Sequence, residues 1–401
     1  MAGMSRGSVK EYKEAVRERY RKAGRKEKRA ILDEFSRVTG YHRKSVIRLL
    51  RWEHGPPGVR RGRPKKYGAE VVEALRVAWE TSDHLCGKRL KPFLVELVET
   101  LIRHGELRVT SEVAKQLGQV SPATIDRLLR PYRRMVSRRP FSTTRPGSLL
   151  KGAIPIRTFA DWEEGRPGFL EMDLVAHCGE SAEGFYLNTL CAVDVATGWV
   201  ECQEVWGKSQ QRVGGAVHHI SRRLPFTLLG LDSDNGGEFI NRHLYDYCQR
   251  HRITFTRSRP YKKNDSAYVE QKNWSVVRRL VGYDRYSSRA ALEQLGRVYQ
   301  HLRLYVNFFQ PTMKLLHKTR RGAKLHKVYD TARTPYQRLL ESGVLAAERK
   351  EALERLYLSL NPVRLREQLN HELERLWSLA EHPQRKEVSV TPFMRQPTSV
   401  R

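Results

Sequence analysis

The chain has 401 residues, 39% of them hydrophobic and 29% charged, which argues against a disordered protein and leaves room for two or three domains. Its 74 lysines and arginines exceed its 44 acidic residues, so the formal net charge is +30. Such a surplus indicates a polyanionic partner. No apolar run is long enough to span a bilayer and no signal peptide is recognisable, which predicts a cytoplasmic protein rather than a membrane protein.

Residues 1–58 are predicted to form a helix-turn-helix unit. Gly40 lies between two stretches with helical apolar spacing and can supply the turn. The second helix would pack through Val46 and would leave Arg43, Lys44 and Arg48 free to face a DNA groove. A plain helical hairpin is the alternative, because glycine is common in such turns.

A second helix-turn-helix unit is predicted over residues 69–137. Ser121 followed by Pro122 is a favourable start for its second helix, on which Thr124 and Arg127 are candidates for DNA contact. A helical domain without DNA binding is again the alternative. Two such patterns in a region with 35 lysines and arginines and 16 acidic residues, over residues 1–150, favour DNA binding.

Two basic segments are predicted to be linkers. Residues 59–68 contain an Arg-Gly-Arg-Pro sequence that resembles an AT-hook, whose side chains would enter a minor groove. The DNA-contacting candidates there are Arg61, Arg63 and Lys65. A charged linker that only follows phosphates is equally compatible. Residues 138–165, rich in proline, serine and arginine, form the second linker.

Residues 166–285 have the pattern of an α/β domain. Three strand-like segments come first, and two helix–strand pairs and a final helix follow. Three meandering strands extended by helix–strand units predict a mixed central sheet with helices on its faces. The five cysteines are scattered without a Cys-x-x-Cys pair, which argues against a disulfide framework or a zinc finger.

Three acidic residues occupy informative places in this domain. Asp173 lies in the first predicted strand, Asp234 follows the fourth strand, and Glu270 lies in the final helix. Convergent carboxylates repel one another unless cations neutralise them, and oxygen ligands of this kind suit Mg²⁺ or Mn²⁺. Two such ions would hold the attacking and leaving oxygens of a phosphodiester. Three unrelated surface acids are the alternative.

The motifs around these acids resemble the catalytic core shared by retroviral integrases and many bacterial insertion-sequence transposases. Ser233-Asp-Asn-Gly236 matches the motif around the second acid of that family, 35 residues separate Asp234 from Glu270, and Glu270-Gln-Lys-Asn273 matches the Glu-x-x-Asn run. The resemblance covers about 120 residues and implies an RNase H-like fold. It also implies that Asp173, Asp234 and Glu270 are the catalytic, metal-binding residues, with two ions in each active site.

The same resemblance implies DNA contacts on the last helix of the domain. The candidates are Lys272, Asn273 and Arg278. The basic residue that integrases often carry seven positions after the glutamate is replaced by Val277, which leaves that role to Lys272 or Arg278. The zinc-binding domain of retroviral integrases has no counterpart, and tandem helix-turn-helix units are closer to bacterial transposases.

Other acids in the domain have alternative interpretations. Asp194 is expected to begin a turn toward Gly198, with a role near the site as the alternative. Glu238 is expected to start a helix rather than to contact a metal. Asp232 is the alternative to Asp234, but it does not precede Asn-Gly.

Residues 286–401 are predicted to be basic and mostly helical. The stretch 305–311 is expected to have a packing role, and residues 339–379 to form amphipathic helices. The basic stretch 318–327 is predicted either to bind phosphates or to be a solvated loop.

The resulting hypothesis is a transposase that binds the terminal inverted repeats of its element, cleaves their 3′ ends and joins them to target DNA in the bacterial nucleoid. Because two ends must be joined, a homodimer or larger synaptic assembly on double-stranded DNA is expected. Two alternatives are an RNase H-like nuclease without joining activity and a DNA-binding regulator that has lost catalysis.

Overall fold

The computed structural model describes residues 6–51, 66–133, 165–258 and 267–381. The chain divides into two compact units, Met1–Lys66 and Tyr67–Arg401. Within the described ranges, no helix combines the length and the apolar character needed to cross a bilayer.

The first unit is a bundle of three helices, α1 (Arg6–Lys22), α2 (Arg25–Thr39) and α3 (Arg43–Arg51). Gly40 ends α2 with a φ of 71°, a left-handed conformation that glycine adopts without steric cost. The predicted turn at Gly40 is therefore present. Phe35 of α2 and Val46 and Leu50 of α3 are fully buried and form the centre of this bundle.

The second unit begins with four helices and a 3₁₀ turn: α4 (Ala69–Thr81), α5 (Gly87–Arg103), α6 (Ser111–Gln119), α7 (Pro122–Leu129) and Arg130–Tyr132. The predicted start of α7 is confirmed, because the Ser121 side chain accepts a hydrogen bond from the backbone N–H of Thr124 and Pro122 occupies the first turn. Gly87 lies so close to the carbonyl of Pro122 that no side chain fits between α5 and α7.

A five-stranded mixed sheet forms the centre of the second unit. Its strands are β1 (Phe169–Ala176), β2 (Asn188–Asp194), β3 (Val200–Val205), β4 (Gly230–Ser233) and β5 (Thr254–Arg257). Their order is β3-β2-β1-β4-β5. The meander β1–β2–β3 is antiparallel, whereas β4 and β5 run parallel to β1 and follow the helices α8 (Gln210–Arg223) and α9 (Arg242–Arg250).

The helices that follow the sheet cover it and complete the core. They are α10 (Ala267–Lys272), which continues through a π-helical segment (Asn273–Arg278) into α11 (Arg279–Val281), then α12 (Arg289–Phe309), α13 (Pro335–Glu341), α14 (Ala347–Ser359) and α15 (Pro362–Ser378). The predicted fold class is confirmed: an RNase H-like α/β core lies between amino-terminal helices and a mostly helical carboxy-terminal region.

The stretch 305–311 has the packing role that the sequence indicated. The buried side chain of Asn307 accepts a hydrogen bond from the N–H of Val200 and donates one to its carbonyl, each at 2.8 Å. These two bonds attach α12 to the edge strand β3, where the backbone of Val200 would otherwise lack a partner on that side. Phe308 and Phe309 are also buried.

The predicted division of residues 67–401 into several domains differs from the observed packing. Apolar side chains from α4–α7, the sheet and α12–α15 belong to one continuous core. Tyr305 of α12 donates a hydrogen bond to the carbonyl of Thr81 at 2.6 Å, and Arg366 of α15 pairs with Asp83 at 2.7 Å. The sequence did not indicate this, because the contacts join residues that are more than 200 positions apart.

The basic stretch 318–327 is neither a helix nor a loop. It forms most of a two-stranded antiparallel hairpin, β6 (Leu315–Arg321) and β7 (Lys324–Tyr329), which is separate from the central sheet. Gly322 supplies the turn with a φ of 59°. Residues 59–65 of the first predicted linker and 138–164 of the second lie outside the described residues.

Candidate active site

The register of the sheet brings Asp173 and Asp234 together. Strands β1 and β4 are parallel neighbours in which Met172 is opposite Ser233, so the next residue on each strand is one of the two predicted acids. Asp173 is half-buried, and burial together with the charges of Asp234 and Glu270 raises its pKa to about 7. Asp234 and Glu270 therefore both lie within electrostatic reach of Asp173.

The loop that carries Asp234 is held by its own polar side chains. Oδ1 of Asp234 accepts a hydrogen bond from the N–H of Gly236 at 2.9 Å. Asn235 donates to the carbonyl of Ser258 and accepts from Arg257, which fastens the loop to the end of β5. Burial raises the pKa of Asp234 as well, so the charged form of this carboxyl group is disfavoured in the absence of a cation.

Glu270 lies on α10, exposed to solvent, one turn before Asn273. Nδ2 of Asn273 donates a hydrogen bond to Oδ2 of Asp173 at 2.6 Å, and the N–H of Leu174 donates to Oδ1 at 2.8 Å. Both oxygens of Asp173 are therefore oriented. Asn273, whose predicted DNA contact stays a prediction, orients this carboxylate through its side-chain amide.

The buried acid Glu171 was missed by the sequence reasoning. It lies on β1, two residues before Asp173, and its Oε2 accepts hydrogen bonds from the N–H groups of Tyr268 and Val269 at 2.9 and 3.1 Å. These groups belong to the first turn of α10, whose N–H groups have no partner within the helix. Glu171 therefore fixes the start of the helix that carries Glu270. The only signal in the sequence for this role is that Glu171 lies two positions before Asp173 on the same strand.

The other acids of the domain have distinct surroundings. Asp194 accepts hydrogen bonds from Gly168 and Thr197, and the predicted turn after Asp194 is confirmed. Asp232 is buried and accepts a hydrogen bond from Thr256 at 2.6 Å. Both carboxyl groups are thus held by hydrogen bonds within the protein.

Glu238 does not start a helix, because α9 begins only at Arg242 with Asn241 as its cap. Its carboxyl group instead lies beside that of Asp234: a Cβ built on Gly236 would meet Oε1 of Glu238 and Oδ1 of Asp234, each at 2.9 Å. Burial and the charge of Asp234 raise the pKa of Glu238. Glu238 is therefore a fourth carboxyl group at the candidate site.

The side chains in the described ranges do not include three or more His, Cys, Asp or Glu residues close enough to hold a metal ion together. The donor set nevertheless fits a hard cation, because its members offer only carboxylate oxygens. The raised pKa values of Asp173 and Asp234 point the same way, since a bound cation would favour the charged carboxylates that burial disfavours.

The predicted DNA-binding residues fall into three groups. Lys44 and Arg48 are exposed on α3, and Arg127 is exposed on α7. Arg43 forms an ion pair with Asp33, and the Thr124 side chain contacts that of Ser121 at 3.0 Å. A third group lies outside the described residues: Arg61, Arg63 and Lys65.

Lys272 and Arg278, the two cations after Glu270 that were predicted to contact DNA, are buried and half-buried, respectively. Lys272 is only 8% exposed, and burial followed by the charge of Arg89 lowers its pKa to about 8. This placement contradicts a role in DNA contact, because a buried side chain cannot reach a duplex. Arg278 is half-buried over the ring of Tyr283. Trp274, which the sequence reasoning did not single out, is 55% exposed one turn after Glu270.

No protein-family model matches the chain. Three solved structures resemble it: the catalytic core domain of BIV integrase (21% identity, TM-score 0.26, 44% of this chain and 95% of that one), the HTLV-2 integrase catalytic core domain in complex with magnesium (14%, 0.28, 36% and 90%) and a simian T-cell lymphotropic virus intasome in complex with a PP2A regulatory subunit (14%, 0.29, 60% and 69%). The fold of this chain is defined by its strand order, β3-β2-β1-β4-β5.

A much closer relative is known from its sequence. The protein of Sinorhizobium fredii described as uncharacterized protein y4rM is 45% identical over 327 residues, which amount to 81% of this chain and 93% of the relative. Identity at this level across most of both proteins implies a common fold and a common arrangement of the core. The chain belongs to the same family as y4rM of Sinorhizobium fredii.

Proposed function

We propose that the protein is a divalent-metal-dependent polynucleotidyl transferase, and more specifically a transposase that cleaves the 3′ ends of a mobile element and joins them to target DNA. The observation that carries the proposal is the environment of Asp173. Its pKa of about 7 reflects burial and the charges of Asp234 and Glu270, so three carboxyl groups from different elements interact at one edge of an RNase H-like sheet. The Ser233–Gly236 motif and the 35-residue spacing support the same function.

Asp173, Asp234 and Glu270 are the residues that would hold two Mg²⁺ or Mn²⁺ ions, with Glu238 as a further carboxylate beside Asp234. Such ions, when bound, supply the positive charge that an in-line displacement at a phosphodiester needs. The protein contributes the orientation of the carboxylates. Asn273 and the N–H of Leu174 orient Asp173, and the N–H of Gly236 orients Asp234.

The remaining requirements are DNA binding and the joining of two ends. The net charge of +30 supports binding to the phosphate backbone, and the exposed cations of α3 and α7 support DNA contact by the two helices that the sequence predicts as recognition helices. Each protomer has one set of three acids, so two ends require at least two protomers. We therefore include a DNA-bound dimer or larger assembly in the proposal.

The test uses the full chain, Mg²⁺ and duplexes taken from the DNA on either side of the gene, and it measures cleavage and strand transfer. Asp173→Asn, Asp234→Asn and Glu270→Gln should each abolish both reactions, because each removes a carboxylate charge with little change of shape. The control is Asp246→Asn, which changes an exposed acid of α9 that pairs only with Arg242 in the described residues.

Chelation of the divalent ions should stop both reactions and leave duplex binding in place. Strand transfer that persists in any of the three variants would remove that residue from the site. Cleavage without strand transfer in the unaltered protein would contradict the transposase assignment and indicate a nuclease.

A further inference from the structure

The β6–β7 hairpin is an arm with an anchored base and an exposed body. At the base, Thr312 and Arg333 exchange two backbone hydrogen bonds, and Asp330 is paired with Arg338 of α13 at 2.7 Å. Beyond the base, most of the described side chains of both strands are exposed, and none of these described side chains belongs to the continuous core of the second unit. The arm is thus held firmly at one end while its strands face solvent.

The arm is strongly basic. Residues 315–329 contain five lysines and arginines, two histidines and no acidic residue. The register places Arg320 opposite Leu325 and Lys327 opposite Lys318, so Arg320 and Lys327 lie on the same face of the ribbon. The exposed side chains also include Leu316 (63%) and Leu325 (52%). Contact with water does not stabilise such apolar side chains, and their exposure is typical of a binding surface.

We propose that this hairpin binds duplex DNA by entering its major groove. The major groove of B-form DNA is ~12 Å wide and admits a two-stranded β-ribbon. Cations along the ribbon would then lie near the phosphates of both groove walls, while exposed leucines can contact thymine methyl groups. The inference rests on the proposed function, in which double-stranded DNA is the substrate, and it assigns to the hairpin a contact separate from the carboxylate site.

Two other occupants fit the arm less well. A second copy of the same hairpin would bring two sets of five positive charges together, which opposes association. The major groove of A-form RNA is deep and narrow and does not admit side chains, so a groove-binding ribbon should prefer DNA to double-stranded RNA. Both occupants can be distinguished in the same experiment.

The experiment compares two double variants of the full chain in the presence of a chelator, so that no cleavage occurs. Arg320→Ala with Lys327→Ala alters the arm. The control, Lys350→Ala with Arg355→Ala, removes the same charge from exposed positions of α14. Affinity for a 30-base-pair duplex is measured from low to high salt, with double-stranded RNA of the same length as competitor.

The arm variant should bind the duplex roughly tenfold more weakly at moderate salt, with a salt dependence (log affinity against log salt) smaller by about 1.8, or about 0.9 per lost phosphate contact. The control should match the unaltered protein, and RNA should compete poorly. Equal binding by the two variants, or equal competition by RNA, would overturn the inference while leaving the proposed catalysis intact. A change of the DNA-free sedimentation coefficient in the arm variant alone would assign the hairpin to a second protomer and would also overturn it.

Discussion

Asn273 donates a hydrogen bond to Asp173 across 2.6 Å and so ties the helix that follows Glu270 to the first strand of the sheet. Asn273 is also the first residue of the π-helical segment, and such segments are frequent at functional sites. The wider helical turn changes which side chains face the sheet after Glu270. The bond therefore ties the helical stretch that begins with α10, which carries Glu270, to the strand that carries Asp173.

Removal of this amide should slow the chemistry more than the binding. We expect Asn273→Ala to lower the single-turnover rate of strand transfer by about 10- to 100-fold, the effect typical of residues that orient metal-binding side chains. Duplex affinity measured with a chelator should change little. Ser275→Ala is the control, because the exposed Ser275 hydroxyl bonds only to the carbonyl of Gln271 in the described chain. An unchanged rate in Asn273→Ala would show that Asp173 needs no orientation by this residue.

The carboxyl group of Glu171 should matter for stability as well as for catalysis. Glu171→Ala removes the acceptor of the Tyr268 and Val269 N–H groups, and we expect it to lower the free energy of unfolding by about 1–3 kcal/mol. Glu171→Gln keeps an acceptor oxygen and should lose less. Denaturant unfolding of both variants gives the measurement. Equal losses in Ala and Gln would mean that the charge, and not the hydrogen bonds, holds α10.

Asp83 should make the second unit sensitive to acid. Burial raises the pKa of Asp83, but the adjacent His84 side chain and the charges of Arg366 and Arg279 outweigh burial and hold the pKa well below its usual range. The stabilisation is therefore fully present above the pKa of the unfolded chain, ~3.9, and is lost as the pH falls further toward the folded pKa.

We expect Asp83→Asn to cost about 3 kcal/mol at neutral pH, because Arg366 then lacks its negatively charged partner. The difference from the unaltered protein should shrink below about pH 4. Asparagine tolerates the left-handed φ of 57° at this position, so the change mainly removes charge. Denaturant unfolding between pH 3 and pH 7 measures the difference, and a constant difference across that range would contradict the pairing.

Gly87 should be intolerant of any side chain. A Cβ at this position would overlap the carbonyl of Pro122, so Gly87→Ala must push α5 and α7 apart. We expect a loss of about 1–3 kcal/mol in unfolding free energy. The matched control is Gly118→Ala in α6, where the nearest atom would be 3.8 Å away and the higher helix propensity of alanine should stabilise by ~0.5–1 kcal/mol. The same melting temperature in both variants would refute the close contact.

The sequence was most informative where local pattern and local structure coincide. Alternating apolar residues predicted the order of strands, and Ser121 and Gly40 predicted a helix start and a turn. The placement of Asp173 in the first strand and of Asp234 after the fourth is also confirmed. These features depend on neighbouring residues and on a few topological rules.

The sequence was least informative where charged side chains are buried. Lys272 and Glu171 are both buried. Lys272 was assigned to the surface and Glu171 was not considered, because charged residues are rarely buried without partners. The partners of Glu171 lie almost 100 positions away, and the π-helical segment alters the faces of the helix that a regular period would predict. Only the tertiary structure contains this information.

The continuous core of the second unit fixes the distance between α7 and the acids at the sheet edge. Arg89 of α5 donates to the carbonyl of Pro311 at 2.7 Å, and Tyr305 reaches Thr81, so α5 and α7 cannot turn independently of the sheet. Under the proposed function, a duplex held by α7 would therefore be cut at a set number of base pairs from the point where α7 binds. Insertion of half a helical turn of DNA between those two points should move the scissile phosphate to the opposite side of the duplex, out of reach of Asp173.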